Sequence, residues 1–479
     1  MSVEAPYSSI MLSSGASGSA SRPSTSTSAV WSVMSAVFNL CGATLGAGAL
    51  ALPYSFSRAG VHWSAVLLVV AAICTCFSIN LLVYASDKVG HRSYEGLALA
   101  LMGKSYERLV EVSIIIFCLG TCVAYIVAVG DVLNSGLSGF LPTYLSGNWG
   151  MAFLTLAIMT PLSTMEGVQQ LRFTSAAGVV SILFLVFATV RHSLMDGALE
   201  SDGSGQLSTF SGILEASPVI MFAFTNQVNV FSIYLSLKPR TPSRMNVSAL
   251  ASSAVTLISY MLVGTFGYLD FGKLTQPNIL VNYCIREDPQ PVMVAAVCCM
   301  ACTIVVAFPL NVLPMRDSIE IMCSGRHHSG EPLEEGDDDE GASFSASKLR
   351  SSELPHSASQ EEEPLLHSTT EPASIASTTT RRVCLTCTIT FLSLALAILT
   401  PNISLVFQLT GGLTSSIISF ILPAVFALKT GYGSSSTWRR LATWTLGVSG
   451  AVLGVLTTAA AVNDVFKGSP DQDEFQCKR

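Results

Sequence analysis

The chain of 479 residues is 50% hydrophobic and only 12% charged, with a mean hydropathy of +0.53, whereas a soluble domain carries roughly 25% charged residues. That balance excludes a soluble enzyme or a nucleic-acid-binding module and places the protein in a lipid bilayer. The formal charge of −7 at pH 7 names no partner, because the acids concentrate in one polar stretch.

Residues 1–30 are Ser-rich, hold a single basic residue, Arg22, and contain no apolar core followed by a cleavage site. They predict a disordered cytoplasmic tail and no signal peptide. Its "YSSI", Tyr7 to Ile10, fits a tyrosine sorting pattern too loose to distinguish from chance. A crossing helix needs about 20 mainly apolar residues. Eleven such stretches follow, at about 31–56, 63–86, 109–134, 147–164, 173–191, 212–237, 246–269, 290–314, 383–400, 403–428 and 441–463, the fourth being short. An odd number of spans puts the termini on opposite sides. With the N-terminus inside, 18 Lys and Arg fall in cytoplasmic segments and 7 outside, so the positive-inside rule makes the N-terminus cytoplasmic. The division is therefore tail 1–30, helices one to eight over 31–323, a loop over 324–380, helices nine to eleven over 381–466, and a short outer tail over 467–479.

The first span contains "FNLCGATLGAGALALP", residues 38–53. Gly42, Gly46 and Gly48 each lower helix propensity by roughly 1 kcal/mol relative to alanine, and with Thr44 they permit local unwinding. Within a bilayer, non-helical backbone is tolerated only where it is buried in protein or lines a watery cavity. The other reading is close helix packing through small residues, which "GATLG" also fits. The sixth span favours unwinding: in "SPVIMFAFTNQVNVFSIYL", residues 217–235, Thr225, Asn226, Gln227 and Asn229 interrupt large apolar residues at comparable depth, where polar groups are costly without partners. Two interrupted spans heading two sets of five helices match an inverted-repeat carrier with its substrate at the midplane. Freed amides suit an anionic group and freed carbonyls a cationic one, and an α-amino acid carries both.

Residues 324–380 are polar, Ser/Thr-rich and acidic in blocks, which predicts a disordered loop. Within it "EEEPLL" has the form of an acidic dileucine sorting signal carried by Glu361, Leu365 and Leu366, which would engage trafficking adaptors; a plain acidic linker is the alternative. Four of seven histidines fall in this loop and the others, His62, His91 and His192, at span ends, so no histidine relay is expected in the bundle. Ten of thirteen cysteines lie in or beside spans as small apolar fillers. One outer bridge, Cys284 to Cys477, is conceivable. Cys384 and Cys387 form a CxxC with no second pair or histidine at zinc spacing, so no metal site is expected there, and no cofactor.

These stretches resemble the amino acid/auxin permease family, within the wider leucine-transporter-like fold. "FNLCGATLGAGALALPYSFSRAG" (38–60) resembles its first span, "FAFTNQVNVFSIYLSL" (222–237) its sixth, "VVAFPLNVLPMRDSIE" (305–320) its eighth and "FQLTGGLTSSIISFILPAVFAL" (407–428) its tenth. The resemblance implies an all-α membrane fold of eleven helices: a five-plus-five inverted repeat with helices one and six broken, plus one extra helix. It implies amino acid transport, with Cys41, Gly42, Ala43, Thr44, Gly46 and Gly48 meeting the substrate through backbone groups, and Phe222, Phe224, Thr225 and Asn226 lining the other wall. Tyr125 would donate its hydroxyl to the substrate carboxylate; an ordinary packing aromatic is the other reading.

Sodium-coupled members of the family carry an Asn where this chain has Gly42, and hydroxyl side chains where it has Val305 and Ala307. Hard cations need oxygen ligands, which leaves Thr303 as the nearest substitute and favours proton coupling or facilitated exchange. Asp131 is the candidate proton site; Glu215, explained by a helix dipole, and Glu111 are the other acids at span ends. Neither break contains a carboxylate, so neutral substrates are expected over cationic ones. Three functions compete: an amino acid carrier working by alternating access, a sensor binding in the same pocket, and a membrane enzyme. The last lacks paired catalytic His or Asp residues at helical spacing. Both a plasma-membrane and an endolysosomal or vacuolar location are compatible with the sequence.

Overall fold

The computed structural model describes residues 25–133, 147–164, 171–195, 209–283, 290–324, 372–400, 402–434 and 436–467. The sorting pattern at Glu361, Leu365 and Leu366, the Tyr7 pattern, Cys284 and Cys477 lie outside them. Every described element is helical. In chain order they are α1 (Thr25–Thr44), α2 (Gly48–Ala59), α3 (Val61–Val89), α4 (Tyr94–Met102), α5 (Lys104–Asp131), α6 (Gly147–Leu154), a π-helical Thr155–Met159, α7 (Thr160–Thr164), α8 (Leu171–Met195), α9 (Phe210–Ala223), a 3₁₀ turn at Gln227–Asn229, α10 (Val230–Ser236), α11 (Pro242–Phe271), a 3₁₀ turn at Gly272–Leu274, α12 (Ile279–Asn282), α13 (Pro291–Ser324), α14 (Pro372–Leu399), α15 (Ile403–Thr410), a π-helical Gly411–Ile421, α16 (Leu422–Lys429) and α17 (Thr437–Lys467).

Among the described residues, nine helices are long and apolar enough to cross a membrane, and α1 with α2 forms a tenth span bent by 59°. Ten of the eleven expected spans are thus met. The fourth, 147–164, is α6, the π segment and α7, which is not among the helices meeting that length and hydropathy. The sixth span is interrupted yet counts as one stretch from Phe210 to Ser236. Residues 372–380, placed by the sequence in the polar loop, form the start of α14. Val66, Val70 and Ile73 on α3, and Val448, Val452 and Val455 on α17, are apolar and exposed, as side chains facing acyl chains must be.

The half-helices of the two interrupted spans form the centre. Hydrogens replace side chains where α9 crosses α2: a Cβ on Gly48 would lie 2.9 Å from Ala223 Cβ, and one on Gly212 would lie 2.1 Å from the Arg58 carbonyl. Gly264 and Gly267 likewise seat α11 on Phe56 and Pro53 of α2. At the far end of this pair Arg58 Nε and Nη2 reach Glu215 Oε2 at 2.6 and 2.5 Å. Glu215 therefore has an ion-pair partner from another span, beyond the helix dipole.

The same end of the bundle carries a polar cap. Asn278 Nδ2 donates to Asp131 Oδ2 at 3.0 Å, His192 Nδ1 lies 3.1 Å from Asp270 Oδ2, and the Tyr283 hydroxyl donates to Asp270 at 3.4 Å. Burial pushes the Tyr283 phenol well above its usual range, so it stays a donor.

Candidate functional site

The bend in the first span is confined to Leu45, Gly46 and Ala47. Leu45 N–H still reaches the Cys41 carbonyl at 2.7 Å, and the next turn is made by Ala49 N–H to Gly46 O and Leu50 N–H to Ala47 O, at 3.1 and 3.0 Å. Between them the Gly46 and Ala47 amides make no backbone bond among the described residues, and the Gly42 and Ala43 carbonyls that an unbroken helix would give them are released together. These amides stand at the N-terminus of α2, where the helix dipole favours negative charge; the carbonyls stand at the C-terminus of α1, where it favours positive charge.

The sixth span breaks differently, because its side chains substitute for the lost ladder. Thr225 Oγ1 donates to the Met221 carbonyl at 2.8 Å, Asn226 N–H donates to Gln227 Oε1 at 3.0 Å, and Asn229 N–H returns to the Asn226 carbonyl at 3.0 Å. Ser419, on the π-helical stretch, donates to Gln227 Oε1 at 2.7 Å and lies 3.2 Å from Thr225 Oγ1.

Three contacts tie the two breaks together. Asn226 Nδ2 donates to Thr44 Oγ1 at 2.8 Å, and Thr44 donates onward to the Leu40 carbonyl at 2.7 Å. The Tyr260 hydroxyl, fully buried on α11, lies 2.7 Å from the Thr44 carbonyl and 3.0 Å from the Ala223 carbonyl, one at the end of each half-helix.

A cavity of about 700 Å³ opens beside this junction. Gly42, Ala43, Thr44, Gly46 and Gly48 line it from the first break, Phe222 and Thr225 from the sixth, and Tyr125 from α5. Its other end reaches Trp31, Ser32 and Lys238, at the start of α1 and just beyond α10, opposite the Arg58–Glu215 pair. The site is thus open towards the end of the bundle where α1 begins and shut at the other.

Three of the residues expected to bind are turned elsewhere. Cys41 Sγ faces the Ser252 carbonyl at 3.8 Å, Phe224 packs edge-on against Tyr260 at 5.3 Å, and Asn226 braces Thr44; none lines the cavity. Thr303 lines a separate hollow of about 30 Å³ with Gly42, Gly46 and Tyr125, and its hydroxyl donates to the Cys299 carbonyl at 2.8 Å. Asp131 stands with Asn278 at the closed end, away from the cavity.

The sequence reading missed several residues. Phe117 and Thr121 of α5 and Asn311 of α13 line the cavity with Tyr125, and Asn311 Nδ2 donates to the Ala307 carbonyl at 3.3 Å. Phe222 sits between Phe117 at 5.5 Å and Phe407 at 4.4 Å, an aromatic wall suited to an apolar side chain. Asn311 had a signal: an amide between two helix-interior prolines, Pro309 and Pro314. Tyr260 had a weaker one, a phenol at mid-span that must find a partner.

The chain is 26% identical over 438 residues to solute carrier family 38 member 10 of Pongo abelii, a match covering 90% of this chain and 35% of that protein. It is 26% identical over 416 residues to vacuolar amino acid transporter 6 of Saccharomyces cerevisiae, covering 84% and 90%, and 26% identical over 297 residues to vacuolar amino acid transporter 5 of Schizosaccharomyces pombe, covering 60% and 68%. The chain therefore spans about a third of the length of the first of these relatives. Among solved structures, a manganese transporter of Eremococcus coleocola matches with a TM-score of 0.51 at 14% identity, covering 94% of this chain and 90% of that one; this likeness concerns the fold alone, a leucine-transporter-like arrangement. The family model described as transmembrane amino acid transporter protein matches residues 29–466, and the chain belongs to that family of transporters rather than to any enzyme class.

Proposed function

We propose that the chain is a secondary carrier of neutral amino acids, working by alternating access and driven by protons or by the substrate gradient alone. The observation that carries this reading is the pairing at the first break: two amides and two carbonyls released side by side, facing a cavity and held by Tyr260 and Asn226. A zwitterion offers both complementary charges. Its carboxylate would take the Gly46 and Ala47 N–H groups and its ammonium the Gly42 and Ala43 carbonyls, with Tyr125 close enough to add a hydroxyl: a Cβ on Gly46 would lie 3.3 Å from it.

The side chain would rest against Phe117 and Phe222. No Asp or Glu stands among the described lining residues, which supports neutral over cationic substrates, since a buried cation needs a partner. With the N-terminus in the cytoplasm, as the basic residues suggest, the open end is the cytoplasmic one. In that state the Arg58–Glu215 pair and the seated glycines hold the outer path shut.

Uptake of radiolabelled amino acids into proteoliposomes, with imposed proton or sodium gradients, tests this. The expected result is saturable uptake of a neutral amino acid, indifferent to sodium. Absence of uptake of any amino acid under either gradient contradicts it.

A further inference from the structure

The cavity lining is uncharged except at one point. Along its open half hydroxyls and amides, Ser32, Ser35, Asn39, Asn229, Ser232 and Ser236, line it beside the apolar Trp31 and Ile233. Lys238 is the one charged side chain among the described lining residues, and it stands at the mouth.

Its backbone is fixed from two directions. The Lys238 N–H donates to Ser32 Oγ at 2.7 Å, tying it to the start of α1. The Lys238 carbonyl accepts from Arg244 Nη1 at 3.0 Å, tying it to the first turn of α11 and bringing a second cation up behind it. Asp87, a nearby acid, does not line the cavity and is engaged by the Tyr234 hydroxyl at 2.8 Å. No carboxylate on the lining offsets the ammonium, and a cleft of one sign between low-dielectric walls concentrates its field.

We propose that Lys238 is a specificity-determining residue: it makes the mouth of the cavity electropositive, disfavours amino acids with a cationic side chain, and admits zwitterions and those with an anionic side chain. This rests on the carrier reading above and adds, to the absence of a lining carboxylate, a single side chain at the mouth of the cavity that selects against one substrate class. A unit charge beside the substrate path, in a medium between water and protein interior, changes relative occupancy roughly three- to fivefold, and the effect is screened by salt.

The test uses the full chain in proteoliposomes, with labelled leucine exchange as the probe and unlabelled arginine, leucine and glutamate as competitors. Lys238→Gln should raise the potency of arginine relative to leucine about three- to fivefold and lower that of glutamate, consistent with a single-charge effect. Lys238→Glu should extend both changes, and Lys238→Arg should keep the wild-type ratios. In about 1 M salt, where the Debye length is about 3 Å, the variants should converge. A merely structural role would shift the three competitors together; opposite shifts for arginine and glutamate mark the charge itself. Leucine exchange with arginine-to-leucine ratios equal in wild type, Lys238→Gln and Lys238→Glu overturns the inference and leaves the carrier reading standing, whereas no exchange of any amino acid by the wild type overturns both.

Discussion

The first and sixth spans are broken at similar depth by opposite means. The first gives way because side chains are missing: Gly42, Gly46 and Gly48 remove the steric support of the helix, the chain bends by 59°, and bare amides and carbonyls are left facing the cavity. The sixth gives way because side chains are added: Thr225, Asn226 and Gln227 take over lost backbone bonds, and the span still counts as one stretch from Phe210 to Ser236. One break is left for a ligand to complete, while the other is largely bridged by its own side chains, with Asn226 Oδ1 and Gln227 Nε2 still unpartnered among the described residues, and serves as its brace. The difference teaches that an interruption in a membrane helix is not in itself a binding site; what matters is which of its backbone groups remain unpaired.

Gly48→Val should do the most damage to this arrangement. Its new methyls meet the Ala223 Cβ and Cα, 2.9 and 3.0 Å from the first added carbon, and both half-helices would have to part. Overpacking of this kind costs about 1–3 kcal/mol, and at the hinge it should abolish uptake, scored against the amount of folded protein on size-exclusion chromatography. Retained uptake would mean that the two half-helices are not held as described.

Tyr260→Phe comes next, because it removes the donor shared by the Thr44 and Ala223 carbonyls. A buried acceptor left unpaired costs about 1–3 kcal/mol, so the thermal midpoint should fall and uptake should drop roughly tenfold. Gly46→Ala should act on binding rather than on folding. It restores about 1 kcal/mol of helix propensity at the bend and crowds the Tyr125 hydroxyl, so the substrate KM should rise severalfold at little cost in thermal midpoint. In a Tyr125→Phe background the crowding part of that effect should shrink. The smallest effect belongs to Ser419→Ala, which removes the hydroxyl that donates to Gln227 Oε1, a hydrogen bond worth about 0.5–1.5 kcal/mol; it should lower the midpoint by a few degrees and leave the KM near that of the wild type. A Ser419→Ala effect on KM larger than that of Gly46→Ala would reverse the assigned roles of the two breaks.

Much of this was legible in the sequence. Glycines and amides are rare enough inside apolar runs to mark both interruptions, and hydropathy alone located ten spans. The sequence marked the fourth as well, at 147–164, but there the helix is divided into α6, a π-helical stretch and the short Thr160–Thr164, and it does not meet the length and hydropathy of the other ten. Side-chain direction was less accessible: Cys41, Phe224 and Asn226 sit beside lining residues but point into α11 or across to the first span, and one residue of rotation in a helix is enough to decide that. The braces were the least legible. Tyr260 lies 216 positions from Thr44, and Arg58 lies 157 from Glu215, so only the packed bundle brings them together.

The central claim is that the backbone freed at residues 42–47 recognises the amino and carboxyl groups of the substrate. A high-resolution experimental structure with leucine bound tests it most directly. The account expects the carboxylate within hydrogen-bonding distance of the Gly46 and Ala47 N–H groups, with the side chain against Phe117 and Phe222. Leucine held by side chains alone, or an unbroken helix running through Leu45 to Ala47, would contradict it.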